Sequence, residues 1–169
     1  QGPTENPLMS HEMNVIGKRV TSITSNIGTA GTISFEYSQA HPGVNAFWLV
    51  SKIKLTDPGR TVEEVDLSYL STQNNRIFLE SVQFQDPNKN YQLEYIDPNN
   101  FPERLSFNRD EWGYYNGKNN QKLYPDPSLL DQDPGHDFSF YFPNGADKRI
   151  DESFAEKGLL KKITYPTKG

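Results

Sequence analysis

The chain has 169 residues, a formal charge of −5 and 34% apolar residues, enough for one modest core. It contains no cysteine, which excludes disulfide scaffolds, thiolate zinc sites and thiol nucleophiles. Its basic residues form no stripe, only short pairs such as Lys18–Arg19 and Lys161–Lys162, so a nucleic-acid surface is not indicated, and no apolar run is long enough for a membrane span.

Ten Phe, nine Tyr, twelve Gly and twelve Pro favour half-buried pleated surfaces joined by tight turns. Residues 1–18 carry few large apolar side chains and read as an extended arm. From 19 to 98 the chain repeats itself. The segment Arg19–Ser25 is followed by a glycine-containing turn and Thr32–Tyr37. Trp48–Leu55 is followed by Asp57-Pro58-Gly59 and Glu64–Tyr69, and Arg76–Phe84 by Asp86-Pro87-Asn88 and Tyr91–Tyr95. Each unit is an outgoing strand with Ile or Val near its centre, a turn, and a return strand ending in apolar, any, Tyr.

Ile53 and Leu55, then Val65, Leu67 and Tyr69, then Val82 and Phe84, then Tyr91, Leu93 and Tyr95 alternate with polar residues. Period two predicts strands with one buried face, and Val65, Leu67 and Tyr69 should share it. The connections are too short for crossover helices, so the pairing should be antiparallel.

Residues 99–150 break the pattern with an Asn-, Asp-, Gly- and Pro-rich insertion containing Trp112-Gly-Tyr-Tyr-Asn-Gly117, and a further short strand is predicted at Asp137–Phe142. Residues 151–169 return to order. Asp151–Lys157 predicts two turns of helix with an acidic N-cap and Gly158 just past its end. Leu159–Tyr165 then begins a fourth unit that stops at Gly169, so the natural chain is expected to continue. The expected fold is all-β, with repeated antiparallel hairpins in a twisted open sheet or a solenoid-like or sandwich segment, one long insertion and one short helix.

Few residues suggest chemistry. His11, His41 and His136 fall in separate loops, and no phosphate loop or Gly-x-Ser-x-Gly elbow is present. Asp131, Asp133 and Asp137, on a glycine-containing loop, are the metal candidates. They could converge on calcium or form an acidic loop, and their spacing departs from the EF-hand pattern. Asp110 and Glu111 are adjacent acids, poorly arranged for glycoside hydrolysis because neighbours on a strand face opposite ways. No cofactor or enzymatic activity is expected. Trp112, Tyr114, Tyr115 and Asn116 have two readings: rings that stack on a sugar, or rings that plug the open side of a sheet.

Leu93–Tyr95, Phe101–Ser106, Asp110–Gly117, Gly145–Asp147 and Gly158–Thr167, in that order, resemble the large exported RHS/YD-repeat-like proteins of Bacteroidetes. The resemblance spans about residues 19–169. It implies a secreted or cell-surface location and a structural role, in a β shell or stalk. The expected partner is the rest of a longer chain, with an edge-strand homodimer as a second option. The alternative function is a glycan- or host-protein-binding module using the Trp112–Tyr115 cluster.

Overall fold

The computed structural model describes residues 17–25, 31–39, 48–127 and 145–166. Seven strands form one sheet: β1 (Ser22–Thr24), β2 (Thr32–Gln39), β3 (Trp48–Asp57), β4 (Arg60–Ser71), β5 (Ile77–Phe84), β6 (Tyr91–Tyr95) and β7 (Leu160–Thr164). Their spatial order is their chain order, and every neighbouring pair is antiparallel. The fold is thus an open, all-β meander of hairpins. Among the described residues it is a single sheet rather than a sandwich.

The register follows from the alternation of side chains. Ile23 faces Ile33, Ile33 faces Leu55, and Phe35 faces Ile53. Ile53 faces Val65, Val65 faces Phe84, and Leu67 faces Val82. Val82 faces Tyr91, and Leu93 faces Ile163. One face is therefore a continuous apolar row, because residues directly opposite in an antiparallel pair share a face. The other face is polar, with Lys52 opposite Asp66, Ser68 opposite Ser81 and Glu94 opposite Lys162. Lys52 is ion-paired to both Glu64 and Asp66. The apolar face is only half-buried among the described residues, with Val65, Leu67 and Tyr69 all intermediate. Pattern sets which face a side chain takes; a second layer sets how deeply it is buried.

Local chemistry closes the hairpins. Asp57 pairs with Arg60 across Pro58-Gly59, and Gly59 takes the positive φ of +87° that this turn needs. In the next hairpin the Asp86 carboxylate accepts from the Asn88 amide at 3.0 Å, and Asn90 Oδ1 accepts from the Phe84 amide at 3.0 Å.

A finer repeat is superimposed on this pattern. Each return strand leaves its own hairpin partner and pairs instead with the next outgoing strand. The β3–β4 ladder ends at Lys52–Asp66, whereas the β4–β5 ladder runs on to Ser71–Ile77. Where the hairpin opens, the tyrosine of the return strand reaches back. Tyr37 donates to the Val20 carbonyl (2.7 Å), Tyr69 to that of Val50 (2.8 Å) and Tyr95 to that of Leu79 (2.8 Å). At the same three tyrosines the outgoing strand of the following hairpin inserts one extra residue (Ser51, Glu80 and Lys161), and the sheet bends.

The predicted two-turn helix is one turn, α1 (Glu152–Ala155), capped by the Asp151 carboxylate. The remainder tightens into three-residue turns, Lys157 N–H to Phe154 O and Leu159 N–H to Glu156 O. Gly158 N–H is then captured by Ile96 O at 2.7 Å, which starts β7 instead of a second helical turn.

Replacing Tyr69 by Phe keeps the ring and removes the bond. The variant should lose about 1 kcal/mol in urea unfolding with its β signal intact. Burial raises the phenol pKa of Tyr69 and of Tyr95. Their contribution is complete below about pH 10, where these phenols are un-ionised in the folded and the unfolded chain alike. Above that the unfolded chain ionises first, so stability should fall with rising pH, and less steeply in Tyr69→Phe.

Candidate functional site

Residues 99–127 and 145–158 fold against the place where β5 and β6 part. Phe78 and Tyr95 supply the first rings, with centroids 4.7 Å apart. Phe101 packs on Phe78, Tyr115 on Phe101 edge-on, and Phe154 on Tyr115 at 5.4 Å. The Arg76 guanidinium lies 4.6 Å over the Phe101 ring and donates to the Pro102 and Glu103 carbonyls, which fixes the chain as it leaves the sheet. Gly117 has φ +68°, and a β-carbon there would lie 2.6 Å from the Phe154 ring. Only glycine fits.

Among its described residues the insertion contains little regular structure, so side-chain amides satisfy its backbone. Asn116 is fully buried and donates to the carbonyls of Asp147 (2.8 Å) and Arg149 (3.2 Å). Asn120 donates to Asp147 O at 3.0 Å and accepts from Asp147 N–H at 2.9 Å. Asn108 accepts from Asn120 N–H at 2.7 Å. The result joins 108–120 to 145–150, and Ala146, 1% exposed, is held by bonds to Tyr124 and from Asp126. The Asp147 carboxyl is itself held down at about 2 by its bonds from Arg149. Asp110 is buried, and its Oδ1 accepts from both Trp112 N–H and Tyr114 N–H at 2.9 Å. That carboxylate is a turn-former.

This geometry divides the four candidate binding residues. Tyr115 and Asn116 belong to the packed interior of the insertion. Trp112 is 72% exposed and Tyr114 55% exposed. Trp112 borders an open depression of about 500 Å³ with Arg109, Asp110, Glu111, Leu123 and Lys148. Lys148 donates to Arg109 O at 3.0 Å, and burial lowers its pKa. A flat ring beside an ammonium and a carboxylate could stack on a sugar while bonding its hydroxyls. Adjacent positions thus have opposite roles, because the tight turn at Asp110–Tyr114 directs Trp112 outward before Tyr115 turns in.

The metal candidates Asp131, Asp133 and Asp137, the three histidines, the strand expected at Asp137–Phe142 and residues 1–16 of the arm lie outside the described residues. Among the described residues no three His, Asp or Glu side chains cluster as metal ligands. Arg76, Asn108, Asn120 and Asp147 are organising residues that the sequence reading does not single out; for Asn108 and Asn120 the density of Asn in the insertion is the one signal.

No protein-family model matches the chain, and no curated protein or solved structure matches it either.

Asn116→Ala removes its bonds to the Asp147 and Arg149 carbonyls, of which Asp147 O keeps the Asn120 donor, and should cost about 1–2 kcal/mol in chemical denaturation. It should also loosen residues 145–150 towards proteolysis. A loss below about 0.5 kcal/mol would mean that the amide network does not hold the insertion.

Proposed function

We propose that the chain is a structural and interaction β-repeat segment of a large secreted or surface-attached protein of the RHS/YD-repeat type. One observation carries the reading: three successive hairpins repeat the same tyrosine-to-carbonyl bond and the same bulge at equivalent positions. Repetition at this level suits a scaffold in which each unit is completed by its neighbour. A catalytic centre calls for the opposite, a unique constellation of groups. The order of motifs from Leu93 to Thr167 supports the family, and the engaged Asp110 carboxylate supports scaffolding over hydrolysis.

The test is an antibody raised against the chain and applied to intact and fractionated source cells. The reading expects a surface or secreted antigen, shaved off by external protease, in a polypeptide far larger than 19.3 kDa. A protease-shielded cytosolic antigen of that small size would overturn it.

A second reading, a glycan-binding patch, is favoured by the exposure of Trp112. Saturable quenching of Trp112 fluorescence by soluble glycans, abolished in Trp112→Ala while Trp48→Phe retains it, would support that patch. Unquenched emission across a glycan panel would end it.

A further inference from the structure

Two cations beside Trp112 have no anionic partner. Arg109 and Lys148 line the depression of about 500 Å³ together with Trp112, Leu123 and Pro125. Neither forms an ion pair among the described residues. The Lys148 ammonium spends one donor on the Arg109 carbonyl, and an ammonium has three. The charge of Arg109 disfavours the Lys148 ammonium, in the same direction as burial does. Like charges held together beside a hollow favour a ligand anion that offsets both.

Two acids share the site, and neither supplies that anion. Asp110 is 4% exposed, and its Oδ1 is taken by the amides of Trp112 and Tyr114. Its field favours the Lys148 ammonium, but burial and Arg109 together outweigh it. Glu111 is exposed and pairs with neither cation. The net charge of −5 on the whole chain does not decide the matter. Exposed charges further off than about 8 Å are largely screened at physiological salt, so the local pair governs.

The rest of the hollow sets the shape of the ligand. Trp112 is 72% exposed and offers a flat ring to the C–H face of a pyranose. A neutral sugar would leave both cations unpaired, and a free carboxylate would leave the indole bare. A uronic acid carries its carboxylate on the edge of the ring and meets both demands. We propose that this depression binds a uronic-acid ring of an acidic glycan, stacked on Trp112 with its carboxylate held by Lys148 and Arg109. The inference rests on the glycan-patch reading and names the ligand class of that patch. Charge-assisted hydrogen bonds to the carboxylate supply the discrimination.

The probe is the trimer of galacturonic acid, titrated into the full chain carrying Trp48→Phe, which leaves Trp112 as its one tryptophan. Saturable quenching is expected. The methyl-esterified trimer keeps the rings and hydroxyls and loses the charge, so it should bind at least about tenfold more weakly. Lys148→Gln and Arg109→Gln should each weaken the acid about tenfold and leave the ester unchanged. The ester comparison needs no second variant, so it stands even where loss of the Lys148 bond loosens the turn. Equal binding of acid and ester, or acid binding unchanged in both variants, would overturn the uronate and leave the glycan patch. A neutral glycan that quenches where the acid fails would do the same. Silence across acidic and neutral glycans alike would remove both.

Discussion

A β-hairpin whose arms must part loses ladder bonds on both arms, and a buried carbonyl without a donor costs free energy comparable to the bond it lost. Every return strand here parts from its own hairpin, because it starts in one and ends paired to the next, and at Val50 and Leu79 the carbonyls so released are part-buried. The phenols of Tyr37, Tyr69 and Tyr95 span the gap and supply the donor that the backbone no longer offers. The bulge opposite each tyrosine, on the outgoing strand of the following hairpin, bends the sheet at the point where the return strand parts from its own hairpin. The remaining architecture follows. With the carbonyls satisfied, hairpins can be added side by side, and the order of strands in space stays the order in the chain.

The opening between β5 and β6 is also where the insertion sits. Phe78 and Tyr95 begin a line of rings that Phe101, Tyr115 and Phe154 continue. Around it, Asn108, Asn116 and Asn120 do for irregular chain what neighbouring strands do for a ladder. Polar residues thus hold the interior of the insertion and leave Trp112 on its rim. The sheet and the insertion share one principle, side-chain donors replacing absent backbone donors.

Much of the sheet was legible because period two is unambiguous over 8 to 12 residues, as in β2, β4 and β5. The tyrosines were legible as a repeat, but not their acceptors, since Val20, Val50 and Leu79 lie 16 to 19 residues away and accept through the backbone. The burial of Asn116 was hidden by its polarity, which ordinarily marks a surface loop. The opposite fates of Trp112 and Tyr115 were hidden by their nearness. The helix came out a turn short because Ile96, far off in sequence, captures Gly158.

The central claim is that phenols hold the diverging strands, and the hydroxyl protons themselves report on it. In the NMR spectrum of the intact chain, Tyr69 and Tyr95 should show slowly exchanging hydroxyl resonances with cross-peaks to β3 and β5 respectively. The exposed Tyr114 and Tyr165 should show none. Hydroxyl exchange at Tyr69 and Tyr95 as fast as at Tyr114 would contradict the account.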